Sequence, residues 1–173
     1  MLLSAHVHAA PALRKGVDQG AWQAAIHSAD LPRVQRLLRL GTPVDTRDRL
    51  GSSALMQASA MAKPLLALEL LNAGADLYAT DLRGKPVVAY AVEANSCEIL
   101  EQLIQHGLVV DRSYADGYTA LMWAAQNGRY QALQCLLKHG AQKELRNAAG
   151  FTALDLAHQA RQGDVIALLQ DAS

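Results

Sequence analysis

The glycines of this chain recur at a fixed interval of 33 residues. Two series of four share this interval and hold eight of the twelve glycines. The series are Gly51, Gly84, Gly117 and Gly150, and Gly41, Gly74, Gly107 and Gly140. A period of this length is typical of a short supersecondary unit copied along the chain, with each copy packed on its neighbours. Function is therefore expected on the surface of a stack and not in a pocket of one closed core.

Apolar residues keep step with the glycines. In the copy that follows Gly117, Leu121 and Ala124 form a first apolar group, and Leu133 and the pair at 136–137 form a second. Spacing of i, i+3 and i+4 indicates a helix with one apolar face. Each copy is predicted to hold a short alanine-rich helix, a second helix with a leucine stripe, and a glycine that closes the second helix in a left-handed conformation.

This pattern resembles the ankyrin repeat. The best copy reads Gly-Tyr-Thr-Ala-Leu-Met-Trp-Ala-Ala over 117–125 and Leu-Leu-Lys-His-Gly-Ala over 136–141. The fifth copy keeps Gly-Phe-Thr-Ala-Leu at 150–154, and the second keeps Gly-Ser-Ser-Ala-Leu at 51–55. The resemblance covers nearly the whole chain. It implies an all-α solenoid of stacked helix-turn-helix units with β-turn or hairpin fingers.

The predicted organisation is an N-terminal tail, 1–16, followed by one repeat domain, 17–173. The repeats are predicted at about 18–47, 48–80, 81–113, 114–146 and 147–173. In the tail, Val-His-Ala-Ala at 7–10 resembles the end of a secretory signal, although the leading positive charge is missing and the apolar stretch is short. A disordered tail and a signal-peptide remnant both stay open. The second would place the protein in a bacterial periplasm, and the cytoplasm is the alternative.

Charge and motifs argue against several classes of function. Sixteen basic and sixteen acidic residues give a net charge of zero, and without a basic stripe no nucleic-acid partner is expected. No apolar run approaches the ~18 residues of a membrane span. Phosphate-binding loops and the HExxH, CxxC and GxSxG motifs are missing from the sequence. His106 and His139 are predicted to stack about 10 Å apart, too far to share a zinc ion. We therefore expect no enzyme activity, metal, cofactor or small-molecule substrate.

The two cysteines are predicted to be free, partly buried thiols. Cys97 and Cys135 fall five positions out of repeat register, which adds ~7 Å along the helix axis to a helix spacing of ~10 Å. That separation exceeds the ~7 Å limit between the Cα atoms of a disulfide.

The resemblance implies that the turns and the outward positions of the first helices form a concave groove that binds other proteins. The partner-binding residues predicted on this basis are Arg49, Met56, Arg83, Lys85, Tyr90, Tyr118, Met122, Trp123, Gln126 and Phe151. Aromatic residues make up only 5% of the chain, yet four of them fall on this face. Aromatic and arginine side chains supply most of the energy of protein interfaces. The alternative is that Trp123 and Tyr90 only cover the groove between inner helices, and that Phe151 packs on a neighbouring turn.

The resulting hypothesis is a non-catalytic module that binds a globular protein. Small stand-alone ankyrin proteins of this kind resemble bacterial inhibitor or immunity proteins, which protect the producing cell by occluding an enzyme or toxin. A scaffold or accessory protein for a stress-response enzyme is the alternative, and an enzyme is the least favoured class.

Overall fold

The structure, a computed structural model, describes residues 18–171. In this range the chain forms ten α-helices, one turn of 3₁₀ helix at Ala115–Gly117, and an isolated bridge between Thr80 and Pro86. The helices are α1 Gln19–His27, α2 Leu31–Arg39, α3 Ala54–Ala60, α4 Pro64–Asn72, α5 Val87–Glu93, α6 Cys97–Gln105, α7 Ala120–Gln126, α8 Tyr130–Lys138, α9 Ala153–Gln159 and α10 Gly163–Asp171. None of them is long and apolar enough to cross a bilayer.

Consecutive helices pair into five units, and each predicted repeat range contains one pair. We call the first helix of each pair the inner helix and the second the outer helix. Each inner helix packs on the inner helix of the next unit, as α3 on α5 and α7 on α9, and the outer helices pack in the same order from α4 to α10. The predicted all-α stack is therefore confirmed. The predicted tail at 1–16 lies outside the described residues, and the limits of the repeat domain stay a prediction.

Hydroxyl side chains fix where the inner helices begin. Ser53, Thr119 and Thr152 lie on the 33-residue interval, and each side-chain oxygen accepts a hydrogen bond from the backbone amide three residues later, at 3.2–3.4 Å. Such caps satisfy amides that have no partner within the helix. In the third unit Pro86 takes this position, and α5 begins without a side-chain cap.

The core is a continuous stripe of small and branched residues. One alanine of each of the last four inner helices is fully buried, as are central leucines of the outer helices; these are Ala58, Ala91, Ala124 and Ala157, and Leu70, Leu103 and Leu136. Alanine lets neighbouring inner helices approach closely. All four glycines that follow the outer helices have φ between 83° and 99°, which confirms the left-handed helix ends.

Units two to five each have a finger before their inner helix, and each finger takes the number of its unit. The second finger is residues 48–52, the third is 81–85, the fourth is 114–118 and the fifth is 147–151. In three of them the first residue is Asp48, Asp81 or Asn147, whose side-chain oxygen accepts backbone amides two and four residues later at 2.8–3.0 Å. The fourth finger has Tyr114 in this place. It forms the 3₁₀ turn instead, with Asp116 at a φ of 56°. The fourth finger therefore differs in backbone conformation from the other three.

Neighbouring fingers are joined by backbone hydrogen bonds at two of three junctions. Leu82 N donates to Leu50 O at 3.2 Å, and 66 residues later Ala148 N donates to Asp116 O at 2.8 Å. Among the described residues, the equivalent bond between the third and fourth fingers is missing. The irregular fourth finger thus lacks this backbone hydrogen bond on the side that faces the third finger.

The prediction of two free thiols is wrong. Cys97, the first residue of α6, and Cys135, in the middle of α8, form a disulfide with their Cα atoms 5.5 Å apart. The same two units are also joined by Asn95 Oδ1, which accepts Ala132 N at 3.0 Å. The disulfide lies on the outer helices, behind the inner helices that follow the third and fourth fingers.

The error came from treating repeat-equivalent positions as if they faced each other. Equivalent residues point in the same direction, so the pairs that meet across two units are offset from the 33-residue interval. Between the third and fourth units the offset is four or five residues. Asn95 meets Ala132, Cys97 meets Cys135, and Glu101 meets Lys138, at separations of 37 or 38 residues. Two Cα atoms on facing sides of helices ~10 Å apart are also closer than the axes by two helix radii of ~2.3 Å, which leaves ~5 Å.

Candidate protein-binding surface

Eight of the ten predicted contact residues reach the surface. Arg49, Arg83, Gln126 and Phe151 are exposed, and Lys85, Tyr90, Tyr118 and Trp123 are partly buried. Their accessibility is compatible with partner binding, which stays a prediction.

The structure contradicts the placement of the two methionines. Met56 is 0% exposed and Met122 is 1% exposed, so neither side chain can contact a partner in this conformation. Met56 turns back to its own helix start, where its Sδ accepts Ser53 N at 3.4 Å. The third position of α3 and of α7 therefore belongs to the core.

Trp123 is held by two tyrosines of the fourth finger. The ring centroids of Tyr114 and Trp123 are 5.1 Å apart, and those of Tyr118 and Trp123 are 6.2 Å apart with 23° between the planes. We call these three residues the aromatic cluster. Burial raises the pKa of Tyr114 to about 12, so this phenol stays neutral. Tyr114 was not among the ten predicted contacts, although its presence on an interval otherwise held by Asp and Asn marked it in the sequence.

Arg112 connects this cluster to Tyr78, which lies in the loop before the third finger. Its guanidinium lies 4.1 Å from the ring centroid of Tyr78 and 5.8 Å from that of Tyr114. The Tyr78 hydroxyl donates to Gly107 O at 3.0 Å and accepts Val109 N at 3.2 Å. Tyr78 therefore ties two units together, which is a structural role.

Asp81 organises the third finger as a buried, ionised carboxylate. Burial raises its pKa, but hydrogen bonds from the backbone of Lys85, the Tyr90 hydroxyl and Arg83 outweigh burial and lower the pKa to about 2. Tyr90 Oη donates to Asp81 Oδ2 at 2.8 Å, and Arg83 Nε lies 3.3 Å from the same oxygen. The Lys85 ammonium lies 4.1 Å above the ring centroid of Tyr90 and pairs with Glu93. Tyr90 and Lys85 are thereby fixed in position before any partner binds.

The finger tips expose apolar side chains that the ten predicted contacts did not include. Leu82 is 79% exposed and Leu50 is 69% exposed, and both lie at the tips of the two fingers joined by a hydrogen bond. Phe151, which was predicted, is 38% exposed. Exposed leucines beside Arg49 and Arg83 give this edge both apolar area and positive charge.

A cleft opens where the third and fourth fingers are not joined. Its volume is about 220 Å³. Its lining includes Arg83, Lys85, Pro86, Glu93, Trp123 and Asn127. We call it the front cleft, because it lies on the inner-helix side of the same junction that the disulfide crosses on the outer-helix side.

One group of metal-ligand side chains occurs among the described residues, formed by Cys97, Glu101 and Cys135. In this structure the two sulfur atoms are bonded to each other, so neither is a thiolate. Glu101 also pairs with Lys138 at 3.3 Å. The group therefore acts as a covalent and ionic link between α6 and α8.

Comparison with known proteins agrees with this architecture. The family model described as ankyrin repeats (3 copies) matches residues 88–173. The ankyrin repeat domain-containing protein SAT10 of Stachybotrys chartarum is 33% identical over 114 residues, which cover 64% of this chain. The chain spans only 6% of the length of that relative. Ankyrin repeats are protein–protein interaction modules and are generally non-catalytic. This chain belongs to the ankyrin-repeat family.

Proposed function

We propose that this protein binds one globular partner protein through its concave face, without turnover, and that docking occludes a functional surface of the partner. The concave face is defined here as the four fingers together with the exposed sides of the inner helices. The bacterial inhibitor or immunity role suggested by the sequence resemblance is the specific form of this proposal. The observation that carries it is the aromatic cluster, which presents Trp123 half-buried and braced by Tyr114 and Tyr118.

The dimensions of the stack suit a standard interface. Five units at ~10 Å spacing give a face of about 40–50 Å. That length accommodates the ~800 Å² per partner of a typical stable complex. The aromatic side chains are held by ring contacts and hydrogen bonds, so little side-chain entropy is lost on binding.

Part of the aromatic area supports the stack itself. Tyr114 and Tyr118 contact Trp123, and Tyr90 is bonded to Asp81, so these rings stabilise their own fingers. Both roles are compatible, because each of these rings retains some exposed area. A rigid aromatic side chain with one free face is typical of an interface hot spot.

The test is a binding measurement with a purified partner, identified by affinity capture from the source organism and mass spectrometry. Isothermal titration calorimetry compares the partner affinities of wild type, of Trp123→Ala and of the variant with Tyr90, Tyr118 and Trp123 all changed to alanine. Trp123→Ala is expected to weaken binding by about 2 kcal/mol or more. The matched control is Tyr130→Ala, because Tyr130 is also exposed, at 38%, but begins the outer helix α8.

Unchanged affinity of the triple variant would contradict the concave-face proposal, provided that circular dichroism shows the variant to be folded. Stoichiometry then separates the two roles. An inhibitor forms a stable complex of fixed stoichiometry and lowers the activity of the partner. A scaffold self-associates or binds several partners weakly, which light scattering of the isolated protein and of mixtures would reveal.

A further inference from the structure

The front cleft lies between the third finger, α5 and α7, in the two units where the fourth finger departs from the repeat. At the position of the Asp and Asn residues of the other fingers, the fourth finger has Tyr114, and it adopts a 3₁₀ turn. Its tip is bonded to the fifth finger through Asp116 O, but in the described structure no such bond reaches back to the third finger. This junction therefore differs from the other two described finger junctions in its backbone hydrogen bonding.

The walls of the cleft are chemically unequal. Trp123 is the partly exposed apolar side chain of the lining, beside the largely buried Pro86 and Ala89, whereas Lys85 and Glu93 form an ion pair. The volume of about 220 Å³ exceeds the roughly 150 Å³ cavity known to admit a benzene ring. The volume of the cleft is therefore large enough for a leucine or phenylalanine side chain.

Arg83 supplies the exposed positive charge at this cleft. Its side chain is 76% exposed, although Nε is held by Asp81. The Asp81 side chain is 1% exposed and its oxygens already accept four donors, so it cannot bind a partner. Lys85 is only 22% exposed and is paired with Glu93. An approaching acceptor thus meets the guanidinium of Arg83, which forms strong charge-assisted hydrogen bonds with carboxylates.

We infer that the front cleft is the specificity pocket of the concave face, and that it takes a leucine- or phenylalanine-sized side chain adjacent to a carboxylate on a loop of the partner protein. This inference rests on the proposed function and adds the kind of partner residue. The apolar side chain packs on Trp123, and the carboxylate lies at the Arg83 end. The half-exposed carboxylate of Glu93 disfavours the reverse orientation.

The braced Trp123 makes the cleft a pre-formed site. Its ring is contacted by Tyr114 and Tyr118 from the fourth finger, and the cleft lies beside it. Binding therefore requires no ordering of the tryptophan, and a short peptide is a sufficient probe.

The experiment titrates three peptides into the ¹⁵N-labelled full chain and follows its NMR spectrum. The probes are Ac-Glu-Phe-Glu-NH₂, Ac-Lys-Phe-Lys-NH₂ and Ac-Glu-Ala-Glu-NH₂. The indole N–H of Trp123 is the reporter, and the indole of Trp22, which is 0% exposed, is the internal reference. The acidic phenylalanine peptide is expected to shift the Trp123 signal and to bind about three- to fivefold more tightly than the basic peptide. The alanine peptide is expected to leave the Trp123 signal unchanged.

Arg83→Ala is expected to remove the preference for the acidic peptide, whereas Arg33→Ala keeps it, because Arg33 is exposed on the outer helix α2 and does not line the cleft. Equal binding of acidic and basic peptides, or no shift at Trp123, would overturn the inference. A partner whose affinity falls with Trp123→Ala but not with Arg83→Ala would also overturn it, and would leave the proposed function standing. If neither substitution lowers the affinity for the partner, both the inference and the proposed function are rejected.

Discussion

Reduction of the Cys97–Cys135 disulfide is expected to destabilise the protein substantially. The bond joins residues 38 positions apart. Closing a loop of this length lowers the entropy of the unfolded chain by about 13 cal/mol/K, or about 4 kcal/mol at 25 °C, if native strain is neglected. For a chain of this size each kcal/mol corresponds to roughly 2–4 °C, so the melting temperature should fall by about 8–16 °C.

The assay compares oxidised and reduced samples of the same chain by urea unfolding, followed by circular dichroism at 222 nm. A thiol titration in denaturant first establishes that the oxidised sample has no free thiols. The control is the Cys97→Ala, Cys135→Ala double variant, on which the reductant should have no effect. Two titratable thiols in the untreated sample, or superimposable unfolding curves for oxidised and reduced protein, would refute the reasoning.

Three further predictions concern stability. Asp81→Asn should lower the free energy of unfolding by about 2 kcal/mol at neutral pH. The folded-state pKa of Asp81 is about 2, below its ordinary 3.8. The stabilisation from the ionised carboxylate is therefore complete above pH ~4 and is lost as the pH falls towards 2. Urea melts at several pH values should show that the difference in unfolding free energy between wild type and variant shrinks as the pH falls. Leu103→Ala, at a fully buried site, should cost about 2–5 kcal/mol in urea melts, whereas Gln170→Ala at the exposed end should have almost no effect. Gly117→Ala should lower the melting temperature more than Gly84→Ala; both have positive φ, but only at Gly117 would a Cβ lie 2.9 Å from the backbone of the fifth finger.

The stack itself was predictable because a repeat encodes local structure in every copy. The glycines after the outer helices require left-handed backbone, and the hydroxyls before the inner helices satisfy free amides, so both fix helix boundaries from the sequence alone. Burial of alanines such as Ala91 and Ala124 follows from the same periodicity. These features depend on a few neighbouring residues.

Contacts between units were harder to predict, because they depend on how far neighbouring helices are shifted along each other. The disulfide was missed for this reason, since its partners are 38 residues apart and not 33. The two methionines were misplaced because adjacent positions of a helix are ~100° apart, so Met122 faces the core while Trp123 beside it is partly exposed. Met56 and Met122 lie on the side that packs into the core.

The irregular junction between the third and fourth units combines an open front with a covalently closed back. Replacing the finger's Asp or Asn by Tyr114 removes a side-chain acceptor for two backbone amides, and it places a ring 5.1 Å from Trp123. Within residues 18–171, the fourth finger is therefore anchored by ring contacts and by a backbone hydrogen bond with the fifth finger, and no backbone hydrogen bond joins it to the third. Without further support, a junction that lacks this hydrogen bond would open more easily than its neighbours. Because the disulfide ties α6 to α8 behind the cleft, we expect the two units to keep their separation, and with it the width of the front cleft.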